Sequence, residues 1–116
     1  MVVDDEPSVR KLASAILTRG GYRTVTAGEG REGLKVFEEQ RREIKLVVSD
    51  LMMPQLDGPG MLRELRQLQP DIKCIIITGL GEENRIAEAK AAGADLILNK
   101  PFSADQLLAD VKQLLG

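Results

Sequence analysis

Apolar and polar positions alternate along the chain in blocks that switch between two periods. Met1-Val2-Val3 is an apolar run that stops at Asp4-Asp5-Glu6-Pro7. Pro7 suits the first turn of a helix. Val9, Leu12, Ala13, Ile16 and Leu17 then fall at i, i+3, i+4, i+7 and i+8, one apolar stripe, until Gly20-Gly21 ends the helix. Tyr22 to Ala27 mixes β-branched and polar residues, as a strand near a sheet edge does. Glu32 to Gln40 reads as a second helix, with Leu34 and Phe37 inward and a charged outer face. Leu46-Val47-Val48 is a compact apolar run ending at Ser49-Asp50, with Met53-Pro54 and Asp57-Gly58 marking loop and turn. Pro59 opens a third helix with Met61, Leu62, Leu65 and Leu68 inward, closed by Pro70.

Ile72 to Thr78 is the strongest strand, and its unbroken Ile75-Ile76-Ile77 predicts burial on both faces. Glu83 to Ala92 is helical by propensity, but its apolar content is mostly alanine plus Ile86, which predicts a mobile, thinly anchored element. Leu96-Ile97-Leu98 is a short fifth strand, ending at Asn99-Lys100-Pro101-Phe102. Ser103 with Gln106 forms a capping box before the last stripe, Leu107, Leu108, Val111, Leu114 and Leu115. Strand and helix thus alternate five times. That pattern predicts an α/β fold, a five-stranded parallel sheet flanked by five helices on both faces. The first strand is shorter than usual and reads as trimmed, which fits a domain excised from a longer chain.

Composition narrows the chemistry. The 116 residues make one domain, and the net charge of −2 leaves no basic footprint for nucleic acid. No apolar run is long enough to span a membrane and there is no signal-peptide layout, so a cytoplasmic location is expected. The lone cysteine, Cys74, lies in an apolar run and reads as buried and inert. Histidine is absent, which excludes His-based triads, His-ligated metals and a phosphohistidine on this chain.

In a parallel sheet the residues just after each strand share one edge, where ligands bind. Those positions hold Asp4, Asp5 and Glu6 after strand one, Asp50 after strand three, Thr78 after strand four and Lys100 after strand five. Each has a plainer role: Asp50 starting a turn, the acids favouring a helix N-terminus (Glu6 above all), Thr78 bonded to backbone, Lys100 solvated. Their coincidence at one rim favours chemistry. Crowded carboxylates repel and call for a cation, and an all-oxygen site suits Mg²⁺. Acid, metal, hydroxyl and ammonium together make a phosphoryl-transfer site with Asp50 as nucleophile.

The same residues resemble a family. Val2-Val3-Asp4-Asp5-Glu6-Pro7, Ser49-Asp50-Leu51-Met52-Met53-Pro54 with Asp57-Gly58, Ile77-Thr78-Gly79, Gly93-Ala94-Asp95 and Lys100-Pro101-Phe102 are similar, in order and spacing, to the receiver domain of bacterial two-component response regulators. The resemblance covers nearly the whole chain and implies a flavodoxin-like doubly wound sheet of order 2-1-3-4-5. It implies that Asp50 takes a phosphoryl group from a phosphohistidine on a histidine kinase or histidine phosphotransfer protein. It implies Mg²⁺ held by Asp5, Asp50 and the Met52 carbonyl, with Asp4 acting through water. Lys100 would contact the phosphoryl oxygens, Thr78 would swing in to hydrogen-bond one, and the bond before Pro101 would be cis. Such a domain is a signalling module, not a turnover enzyme, and its switch surface is helix four, strand five and helix five, a face open to homodimer formation.

Two features depart from the family pattern. Ile97 stands where an aromatic residue usually reorients with the threonine, which points to a phosphoryl relay or sink domain of a hybrid kinase, or to signalling by backbone exchange. The first strand is clipped. Met52 and Leu80, two residues beyond Asp50 and Thr78, are apolar where the family's side chains flank the attacking water, which predicts slow self-dephosphorylation. The rivals are a phosphatase or phosphotransferase with an aspartyl nucleophile, disfavoured by Met52 in place of a second acid, and a pseudo-receiver that binds a partner without phosphorylation, disfavoured by the retained acids, Thr78 and Lys100.

Overall fold

The computed structural model describes residues Met1–Gly116. β1 (Val2–Val3) leads to α1 (Pro7–Arg19), β2 (Thr26–Ala27), α2 (Gly30–Gln40), β3 (Leu46–Asp50) and α3 (Gly58–Leu68). β4 (Lys73–Thr78) is followed by a single 3₁₀ turn, Glu83–Arg85, that runs into α4 (Ile86–Ala91), then β5 (Leu96–Asn99) and α5 (Ala104–Leu115). All strand pairs are parallel, in the order β2-β1-β3-β4-β5. This is the flavodoxin-like arrangement expected. From β1 the sheet grows outward to β2 on one side and to β3 on the other, so the β1/β3 boundary is the topological switch point.

The alternation of side chains along a strand sorts the core into two layers. Val3, Val47, Cys74 and Ile76 pack with Phe37 of α2 and Leu62 of α3. Val2, Val48, Ile75 and Ile77 pack with Ile16 of α1 and Val111 of α5. β3 is buried from end to end, and β4 is buried after Lys73, as unbroken apolar strands covered on both faces should be.

Local chemistry explains most boundaries. Ser103 Oγ accepts from the Gln106 N–H at 3.0 Å while Gln106 Oε1 accepts from the Ser103 N–H at 2.8 Å, the reciprocal cap expected from the sequence. Asp57 caps α3 by accepting from the Gly60 N–H at 2.9 Å. Gly58 packs α3 directly onto the end of β3, where a Cβ would collide with the Asp50 carbonyl oxygen. No side chain larger than hydrogen fits there without moving the backbone that carries Asp50.

Four expectations change. The second strand shrinks from Tyr22–Ala27 to Thr26–Ala27. Its one neighbour, β1, is itself only two residues long and offers little ladder to pair with. The second helix begins at Gly30, not Glu32, because Glu29 supplies the cap by accepting from the Glu32 N–H. Leu12 is 52% exposed. At 100° per residue it lies roughly 90° from the centre of the buried Ala13, Ile16 and Leu17, on the flank of the stripe. The fourth helix breaks into the 3₁₀ turn and a six-residue α4 whose one buried residue is Ala89. A methyl group anchors little, so the helix holds only where it touches the sheet.

Candidate functional site

The site lies at the carboxyl edge of the sheet, across the switch point. In the β1–β3 register Val2 opposes Val48 and Val3 opposes Ser49, so Asp4 and Asp50 follow as the next pair. The period of two then places Asp4 with Val2, Asp50 with Val48, and Lys100 with Leu98, all residues of the α1/α5 layer. Three strands therefore send two acids and one ammonium to the same side of one edge.

The distances agree. Lys100 Nζ sits 3.5 Å from Asp50 Oδ1, 3.5 Å from Glu6 Oε1 and 4.0 Å from Asp4 Oδ2. Asp4, Asp5 and Asp50 each bring a carboxylate oxygen to within 4.8 Å of the others. Asp50 is 5% exposed and Asp4 is fully sheltered, while Asp5 opens to solvent. Asp4 Oδ1 accepts from the Glu6 N–H at 2.9 Å, but its Oδ2 is buried with no hydrogen-bond partner.

Electrostatics follow from that crowding. Burial, then the Asp4 carboxylate, push the Asp50 carboxyl up from 3.8 to about 7, and Lys100 only partly offsets them. Asp4 is also raised, by burial first, against the lowering pull of the Glu6 N–H and Lys100. Burial works to lower Lys100, but the carboxylates of Asp50, Asp4 and Glu6 outweigh it and hold the ammonium above its usual value. An orphaned, buried Asp4 oxygen beside two more carboxylates, in an all-oxygen donor set, fits a hard divalent cation such as Mg²⁺.

Thr78 is different. It ends β4 and alternates with Cys74 and Ile76, in the layer beneath α2 and α3, opposite to the side shared by Asp50 and Lys100. Its buried hydroxyl donates to Asn99 Oδ1 at 2.8 Å, and the Lys100 N–H donates to the Thr78 carbonyl at 2.7 Å. The Lys100–Pro101 peptide is cis. Met52 lies in the loop two residues past Asp50 with its side chain 41% exposed, and Leu80, two past Thr78, is 92% exposed.

Sequence reasoning missed three neighbours. Glu6, taken for a helix-end charge, pairs with Lys100, and it is Asp4 that accepts the backbone N–H there. Asn99 was passed over, although aligning the last residues of β4 and β5 pairs it with Thr78. Arg85 bridges to Asp57 at 2.8 Å and to Glu88 at 2.9 Å and rests on the Met52 sulfur. No pattern in the chain signals that contact between residues 28 apart.

The fold and the acidic edge define an α/β signalling domain of the response-regulator kind, and comparison with known proteins agrees. Residues 1–112 match the response regulator receiver domain family. The chain belongs to that family, the receiver domains of two-component signalling. It is 41% identical over 99% of its length to the sensor kinase CckA of Brucella abortus, and 43% identical over 99% to the probable transcriptional regulator ycf27 of Cyanophora paradoxa. The chain spans only 12% of the first of those proteins and 47% of the second. A crystal structure of a response regulator receiver domain protein from Clostridium thermocellum superposes with a TM-score of 0.93 at 32% identity, covering 98% of this chain and 90% of that one.

Proposed function

We propose that the chain accepts a phosphoryl group on Asp50 from the phosphohistidine of a histidine kinase or histidine phosphotransfer protein, in a Mg²⁺-dependent reaction. The observation that carries this reading is a sheltered carboxylate 3.5 Å from a fixed ammonium, beside two further acids. An Asp50 oxygen attacks phosphorus, the P–N bond breaks, and its electron pair returns to the imidazole of the donor. Lys100 offsets charge on the carboxylate beforehand and on the phosphoryl oxygens afterwards. Asp5, Asp50 and the Met52 carbonyl would hold the cation directly, and Asp4 through water. A bound cation there supplies positive charge that relieves carboxylate repulsion and neutralises the transferring group. The phosphorylated aspartate then offers oxygens to the Thr78 hydroxyl.

Both kinds of longer relative suit such a module, since one is named a sensor kinase and the other a transcriptional regulator. Ile97, partly buried at the usual aromatic position, favours relay or sink duty over output through the α4-β5-α5 face. As a reading from membership of the receiver family, we assign the domain to the cytoplasm. No helix is long and apolar enough to cross a membrane. Incubation with acetyl phosphate and Mg²⁺ tests the central claim. Intact mass should rise by one phosphate in the native chain and not in Asp50→Asn. An adduct that survives Asp50→Asn, or none in either protein, rejects it.

A further inference from the structure

We infer that Asn99 is a positioning residue, a latch that holds Thr78 in its off conformation until a phosphoryl group is present. The inference rests on the Asp50 reading above and adds a residue to it. Thr78 has one hydroxyl proton, and it is donated to Asn99 Oδ1 at 2.8 Å. A proton given to Asn99 is not available to a phosphoryl oxygen. The two residues are register partners at the ends of β4 and β5, so the bond is built into the parallel pairing of the strands. Both lie on the α2/α3 side of the alternation, away from the side that Asp50 and Lys100 share. Thr78 must therefore leave Asn99 to reach the modified aspartate.

The surroundings make the bond breakable in one direction. Thr78 is buried, and the bond to Asn99 is the one hydrogen bond its hydroxyl makes. Leaving is unfavourable for a buried hydroxyl without a new acceptor. Asn99 is exposed, so its amide returns to water at little cost. A phosphoryl oxygen is an ionised acceptor, and a hydrogen bond to it is roughly twice as strong as the neutral one it replaces. The latch is thus held in the unmodified state and loses to a phosphoryl group. Ile97, two residues earlier on the same strand face, brings no polar group to the exchange. Asn99 also adjoins Lys100, whose N–H donates to the Thr78 carbonyl, so a second hydrogen bond ties the ends of β4 and β5 together.

Four proteins test this: native, Asn99→Ala, Thr78→Ala and the double variant, titrated by calorimetry with beryllofluoride, a phosphoryl mimic, in Mg²⁺. Asn99→Ala should bind it about fivefold more tightly than native, the factor that one neutral hydrogen bond represents. In the Thr78→Ala background the same change should have no effect, because nothing remains to be released. Asn99→Leu, which keeps bulk but has no acceptor, should match Asn99→Ala and guards against a loss of packing. Unchanged affinity in both Asn99 variants overturns the latch, and so does an equal gain with and without Thr78. If the native chain binds no beryllofluoride and takes no phosphate from acetyl phosphate, the Asp50 reading itself has failed.

Discussion

On the reading proposed for Asp50, the lifetime of a phosphoryl group there is set by the side chains around it. A phosphoaspartate is lost when water is aligned behind phosphorus, and the two side chains nearest that approach by resemblance are Met52 and Leu80. Neither can hydrogen-bond water usefully, and both face outward. Self-dephosphorylation should be slow, and Met52→Asn or Leu80→Glu should speed it several-fold, measured as decay of the phosphate adduct in purified protein. Fast decay that ignores both substitutions would contradict this. At this scale the sequence was most legible where a residue's partner is a strand end at the same rim: Asp4, Asp5, Asp50 and Lys100 all arrive there. It was least legible for Thr78, because the direction of its hydroxyl depends on which residue of β5 lies beside it. That register is a property of two strands, not of one motif.

Among the elements, α4 is the least secured. Its buried contact is Ala89, and its approach is a 3₁₀ turn held to the β3–α3 loop by the Arg85–Asp57 ion pair. Exposed ion pairs contribute little to global stability, so this one matters locally. Arg85→Ala should accelerate hydrogen exchange across 83–91 while leaving β3 and β4 protected. Asp57→Ala should do the same and also lower Tm, because Asp57 caps α3; losing a cap costs about 1 kcal/mol. Equal protection of 83–91 in native and Arg85→Ala protein would remove the pair from this role. Alanine-rich composition disclosed the weakness of the fourth helix, but not its 3₁₀ entry, which follows from Gly81 at φ +84° and the Glu82 carboxylate accepting from the Gly79 N–H at 2.6 Å. The capping box of α5 was readable because cap and acceptor lie three residues apart. The second strand was overextended because its length is set by β1.

For the whole molecule, the acidic edge costs stability. Asp50 titrates at about 7 in the fold against an ordinary 3.8. Below roughly pH 4 both folded and unfolded chains carry it protonated and it costs nothing. Above pH 7 both carry it ionised, and the fold bears the full penalty. Stability should therefore fall as pH rises through this window, with Asp4 adding in the same sense. Lys100, raised, keeps its contribution until well above it. Thermal melts should show Asp50→Asn about 5–10 °C more stable than native at pH 8 and little different at pH 4. Mg²⁺ should stabilise native protein at pH 8 only. A native melt independent of pH between 4 and 8 would sink this account.

Cys74 gives the chain its own stopwatch. The single thiol sits on β4, an interior strand of the sheet, wholly enclosed, with burial pushing it up to about 12. A thiol reagent can reach it only when β4 parts from its neighbours, so the labelling rate times the opening of the sheet. Adding Mg²⁺ at pH 8 should lengthen the interval, and Asp50→Asn should lengthen it without the metal. The event at the rim would then be read from inside the sheet, through a thiol the chain already carries.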